Sequence, residues 1–171
     1  LDHIGNAGRA GNWWALVTDT GEASGEPVIQ KDTDPAPGYY IAMTSLADKA
    51  KKRTDPTRYV DAESVPYFVL PSNARFGLKL GDLGVAVNTK TWQCSGCVFA
   101  DVGPKDKVGE GSIALAEAIG VPGNPRHGGA SDGIAYVVFP RSGLGWPLTA
   151  DEVTTAAERR FAQWGGLTLL Q

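Results

Sequence analysis

The segment from Cys97 to Gly120, CVFADVGPKDKVGEGSIALAEAIG, constrains the fold more than any other part of the chain. Its apolar start, Val98-Phe99-Ala100, reads as a buried strand that stops at a carboxylate, Asp101, with the turn signal Gly103-Pro104 behind it. A charged loop then leads to Gly109-Glu110-Gly111, and Ser112 to Ile119 reads as a helix closed by Gly120. Two carboxylates therefore stand at a strand end and a helix mouth, which are rigid supports for groups that must keep a fixed separation. The same residues fit a solvated turn Asp and a helix-start Glu favoured by the helix dipole. On pattern alone both readings stand.

Elsewhere the chain is cut into short pieces. With 22 Gly and 11 Pro in 171 residues, tight turns must be frequent, which argues for a β-rich fold with few long helices. Hydrophobic residues make up 42% of the chain, enough for one ordinary domain spanning residues 1–171. Strands are expected at 12–18, 39–43, 65–71, 85–87 and 134–139. The stretch 21–38 reads as a long surface loop or a hairpin around Val28-Ile29, and a short helix is expected from Thr44 or Ser45 through Arg53. The clearest helix is C-terminal. Thr149 and Glu152 form a capping-box pattern, and Val153, Ala156, Ala157, Phe161 and Trp164 fall on one face.

Composition excludes several roles. A net charge of -3 disfavours nucleic acid or an anionic membrane as partner and suits a cationic one weakly. No apolar run approaches the ~18 residues of a membrane-spanning helix. No signal peptide is evident, and the start at Leu1 reads as a mature or trimmed form. There is no GxSxG or HExxH, and the Gly81–Gly84 turn lacks the lysine of a phosphate loop. Cys94 and Cys97 form one CxxC with only His3 and His127 as further nitrogen donors, so no metal and no cofactor is expected. A redox CxxC would enter a helix, whereas this one enters a strand. A local disulfide is the favoured reading, with free thiols the alternative. His127 sits in a Gly-rich loop, and Asp19 ends the first strand much as Asp101 ends a later one. Asp19 is thus either a third acid near the pair or a strand-terminating turn residue.

The blocks VPYFVLP (65–71), GDLGVAV (81–87) and ADVGPKDKVGEGSIALAEAIG (100–120) resemble the chitosanases of glycoside hydrolase family 75. With the 134–140 strand they span about half the chain, whereas the N-terminal third matches only loosely, through Trp13-Trp14-Ala15 and the Asp19 turn. The resemblance implies that Asp101, in Asp-x-Gly-Pro, and Glu110, in Gly-Glu-x-Ser, are the catalytic pair. It also implies endo-hydrolysis of β-1,4 linkages in chitosan with inversion. A polymeric glucosamine substrate in turn leads to the expectation of a secreted protein, and a monomer is expected. The layout is similar to that of the double-psi β-barrels of barwin-like proteins, expansins and family 45 glycosidases. The expected architecture is accordingly mainly β, a six-stranded double-psi-like barrel with a short helix after the catalytic loop and a C-terminal helix packed outside.

Inverting hydrolysis needs a protonated carboxyl for the leaving oxygen and an ionised one to activate water, roughly 6.5–9.5 Å apart. Their surroundings must split their acidities. Desolvation by the apolar strand favours Asp101 as the acid. The analogy with barrel glycosidases gives the proton to the acid at the helix mouth, Glu110, and that assignment is adopted. A polycationic substrate calls for further carboxylates and for stacking surfaces. Asp19, Asp32, Asp34 and Asp132 are candidates for the first role, and Trp13, Tyr40 and Trp92 for the second. The alternatives are a non-hydrolytic, expansin-like carbohydrate-binding barrel, or a hydrolase of another cell-wall glycan.

Overall fold

The structure, a computed structural model, describes residues 7–34, 36–73, 76–103, 105, 108–124 and 127–171. His3 and Pro104 lie outside the described residues. The chain divides into two compact units, Leu1–Asp61 and Ala62–Gln171.

In the first unit, stretches interrupted by Gly and Pro are too short for long ladders and pair through isolated bridges, among them Leu16 with Ala42 and Ile29 with Tyr40. Three extended segments close on one another in a ring. Val17 N–H donates to Ile41 O at 3.0 Å, Ile41 N–H to Val28 O at 3.3 Å, and Val28 N–H to Val17 O at 2.9 Å. The expected strands at 12–18 and 39–43 and the hairpin about Val28-Ile29 supply these segments. Ala7, Trp13 and Leu16 form a small core against which Tyr40 packs. The helix expected to run through Arg53 is absent. Thr44 is buried, and its hydroxyl donates to Leu46 O (2.6 Å) while accepting from Val60 N–H (3.0 Å). Those bonds hold a turn where a helix would need the backbone for itself. The only helical piece described in this unit is a 3₁₀ turn, Pro56–Arg58, capped by Asp55.

The second unit is built on a four-stranded, curled half-barrel sheet. Its strands are β1 (Tyr67–Pro71), β2 (Leu83–Asn88), β3 (Cys94–Gly103) and β4 (Ile134–Phe139), in the order β1-β3-β2-β4. β1 and β3 run parallel, and the β2–β3 and β2–β4 pairs are antiparallel. β2 is buried along its whole length, as the run Leu-Gly-Val-Ala-Val predicts for a central strand. β3 begins at Cys94, earlier than the apolar pattern predicts, because Val87, Ala86 and Val85 pair with Cys94, Ser95 and Gly96.

Each face of the sheet carries a helix. On one, Phe68 and Phe99 are fully buried and stack with ring centroids 5.5 Å apart. Leu115 of α1 (Ile113–Ala118) and Tyr136 complete that cluster. Burying a side chain of this size stabilises the fold by about 1.5–3 kcal/mol. On the other face, α2 (Ala150–Trp164) crosses β3 at Gly96. A Cβ at Gly96 would stand 2.6 Å from Thr154 O and 2.9 Å from Ala157 Cβ, so only glycine admits the helix this closely. α2 starts with the expected capping box: Thr149 N–H donates to Glu152 Oε2 (2.7 Å) and Glu152 N–H to Thr149 Oγ1 (3.2 Å). The Thr149 N–H and hydroxyl donated to the Glu152 carboxylate hold its pKa below the usual carboxylate value. Gly165, with φ 123°, ends the helix.

Candidate active site

Asp101 lies near the end of β3 in the second unit and is half-buried. Its neighbour across the parallel pair is Val69. The register slips there, since Phe68 pairs with Phe99 but Val69 pairs with Asp101, leaving Ala100 as an extra residue on β3. Cys97 and Phe99 face the cluster containing Leu115, and beyond the slip it is Val102 that packs against that cluster. Asp101 and Gly103 therefore face the opposite side, in line with Val69.

Glu110 reaches the same place from the other edge of β1. Val69 N–H donates to Glu110 O at 2.9 Å, Ser112 N–H donates to Tyr67 O at 3.0 Å, and Phe68 is bridged to Gly111. Residues 110–112 thus run antiparallel beside β1. Ser112 locks this arrangement, because its buried hydroxyl accepts both Tyr67 N–H (3.0 Å) and Leu115 N–H (3.1 Å), the second bond being the N-cap of α1. The buried Phe68 fixes Gly111 on the inner face, so Glu110 takes the outer one. A Cβ built on Gly103 would stand 3.4 Å from Glu110 Oε2 and 3.1 Å from Val69 Cγ1. The Glu110 carboxylate accordingly extends across Val69 and over Gly103, two residues beyond Asp101 on the same face of β3. Gly103 stands one two-residue strand repeat, about 6.6–6.8 Å, from Asp101 along β3. A spacing on that scale would admit a water molecule between an acid and a base. Glu110 is exposed, so solvent and a ligand reach it.

The other candidates fall elsewhere. Trp92 sits in the turn before β3, and Asp132 precedes β4, whose first residue, Ile134, pairs with Asn88. Both lie at the end of the sheet opposite Asp101, and Asp132 is ion-paired with Lys90. Antiparallel pairing of β2 with β3 and β4 carries these turns away from the pair, so neither adjoins it. Asp19, Asp32, Asp34, Trp13 and Tyr40 belong to the first unit. The Asp19 carboxylate accepts Thr20 N–H (2.8 Å) and Glu26 N–H (2.9 Å), closing a turn. Asp34 does the same for Lys31 N–H at 2.8 Å. Asp32 is exposed in that turn. Trp13, at 9% exposure, is a core residue, and its neighbour Trp14 is the one that faces solvent, at 60%. Alternation along an extended segment predicts one Trp inside and one outside but not which.

The Cys94–Cys97 disulfide is not formed; both thiols are free. The two residues lie on one extended strand, which separates their Cα atoms by about 10 Å, beyond the ~7 Å that a disulfide can bridge. Burial raises the pKa of both thiols, making them weaker acids than usual, Cys97 the more because it is wholly enclosed. His127 is exposed, and its N–H donates to Asn124 Oδ1 at 3.0 Å. Among the described residues no group of three or more His, Cys, Asp or Glu is placed to hold a metal. Nor is any described helix long and apolar enough to cross a membrane. No family model matches the chain, and no curated protein matches it.

Proposed function

We propose that the second unit is a glycoside hydrolase that cleaves β-1,4 linkages within a glucosamine polymer such as chitosan, with inversion. The observation that carries this reading is the placement of Asp101 and Glu110 on either side of Val69 and on one face; a two-residue strand spacing between them would admit a water molecule. Glu110, exposed and extended over β3, donates a proton to the leaving oxygen. Asp101, half-buried at the strand end, accepts a proton from the attacking water. The bond broken joins the anomeric carbon to the leaving oxygen; the bond formed joins that carbon to the water oxygen on the opposite face. The choice of chitosan rests on the resemblance of the 65–71, 81–87 and 100–120 blocks, and the charge of -3 suits a polycation. In this reading the curled sheet is part of a six-stranded double-psi-like barrel, and the protein is a secreted monomer.

Soluble chitosan, a cellulose derivative and a cell-wall glycan, each assayed for new reducing ends, test the reaction and its substrate together. Asp101→Asn and Glu110→Gln are each expected to lower chitosan cleavage by at least a hundredfold with little change in melting temperature. An oligosaccharide with an aryl leaving group separates the roles, because such a group departs without protonation. Glu110→Gln should retain most activity on it, and Asp101→Asn should not. Cleavage of chitosan at wild-type rate by either variant removes that residue from the mechanism.

A further inference from the structure

The first unit contains a cleft of about 250 Å³ that the carboxylate pair does not use. Trp13, Trp14, Met43 and Tyr59 supply apolar lining, and Glu22 and Arg53 supply polar groups. We propose that this cleft binds one neutral sugar ring of a glycan chain. Its size lies below the roughly 300–1,000 Å³ of sites for larger organic ligands and suits a single ring.

The chemistry of the lining selects the ligand. Trp14 keeps a broad aromatic surface in solvent, which the packing of the fold does not require. A pyranose presents the complement, an apolar C–H face with a perimeter of hydroxyls. Arg53 Nη1 lies 3.5 Å from Glu22 Oε1 and is also held by Gly21 O at 3.4 Å. A donor and an acceptor thus stand side by side, as two adjacent hydroxyls require. Tyr59 donates its hydroxyl to Arg53 O at 2.8 Å, so its contribution to the cleft is its ring. A purely apolar ligand would strip water from Glu22 and Arg53 and return no hydrogen bond. An ammonium group would meet the Arg53 charge beside the Glu22 charge and gain little. The cleft therefore favours an N-acetylglucosamine or glucose unit over glucosamine. Only the interest in aminated glycans rests on the hydrolase reading; the cleft chemistry does not.

Calorimetric titration of the full chain carrying Asp101→Asn tests this, with tetramers of N-acetylglucosamine, glucose and glucosamine as probes. Trp14→Ala should weaken at least one of the two neutral tetramers tenfold or more and leave the glucosamine tetramer within twofold. Trp14→Phe should restore affinity to within about threefold. The proposal is overturned if Trp14→Ala changes no affinity, or if it weakens the glucosamine tetramer equally. Melting temperature should not move, because Trp14 is mostly exposed; a fall of more than a few degrees would show a packing role and also count against the proposal. Trp14-dependent binding, where the unsubstituted chain cleaves none of the glycans, would sink the hydrolase reading and leave this one standing. Cleavage without Trp14-dependent binding would do the reverse.

Discussion

Asp82 offers the sharpest test of what holds the second unit together. It is 3% exposed, and its carboxylate accepts four backbone N–H groups. Oδ2 takes Lys79 (2.8 Å) and Arg141 (3.1 Å); Oδ1 takes Ser142 (2.9 Å) and Gly143 (3.0 Å). The turn before β2 is thereby clamped to the segment after β4, and Leu83 N–H adds a 2.7 Å bond to the buried Ser142 hydroxyl. Hydrogen bonds to a charged group contribute about 1.5–3 kcal/mol each, but they are not additive. Three of the donors belong to exposed residues, Lys79, Arg141 and Gly143, so water can replace part of what Asp82→Ala removes. The expected loss is about 3–5 kcal/mol, a net loss of about two hydrogen bonds to a charged group at roughly 1.5–3 kcal/mol each. For a chain of this size that lowers the melting temperature by on the order of 10 °C. Asp82→Asn keeps the volume but turns an NH2 toward two donors, so it should fall close to Asp82→Ala rather than to wild type. Urea unfolding, followed by fluorescence, should show a lower midpoint with an unchanged m-value. A loss below 1 kcal/mol for the alanine variant, or wild-type stability for the asparagine variant, would refute the charged-clamp argument.

Other expectations are more local. Thiol reagent at pH 8 should modify Cys94 slowly and Cys97 only after unfolding, and the denatured chain should show both thiols without reductant. Burial pushes Tyr136 up to about 12, so the folded state favours the neutral phenol. Its contribution is complete below pH 10 and disappears as the pH rises through 12, a loss on the order of 2–3 kcal/mol that Tyr136→Phe should abolish in a pH series of urea midpoints. Gly103→Val should lower chitosan cleavage more than tenfold with circular dichroism unchanged, because its Cβ would press on Val69 and its methyl groups would crowd the Glu110 carboxylate that the Cβ already touches.

The sequence discloses elements whose signal is local and hides those set by distant contacts. Thr149 and Glu152 announce α2 because a capping box is complete within four residues. Val85 to Val87 and Ile134 to Phe139 announce strands by their apolar runs. The absent helix before Arg53 has the opposite cause: Val60, far along the chain, donates to Thr44 and holds the turn. The apolar run starts the strand only at Val98, yet β3 begins at Cys94, and Gly96 is where α2 crosses the sheet. Asp101 and Glu110 were legible as carboxylates on rigid supports. Asp132 and Trp92 were legible as polar or aromatic and nothing more, since strand direction, which periodicity does not encode, decides at which end of the sheet they lie.

The position of the pair depends on a single residue of register. Had β3 continued its alternation past Phe99, Asp101 would share a face with Cys97 and Phe99, inside the cluster that buries Leu115. A carboxylate there would lose its water, at a cost no neighbouring aromatic repays. The extra residue, Ala100, turns Asp101 outward just where β1 supplies Val69 and, beyond it, Glu110. Bulges are uncommon between parallel strands and frequent beside active sites, where they re-aim a side chain. Structural packing alone gains nothing from this slip, because an apolar residue at position 101 in unbroken register would extend the Phe68–Phe99 stack. On the hydrolase reading proposed above, the slip is the device that presents one acid to another across a strand.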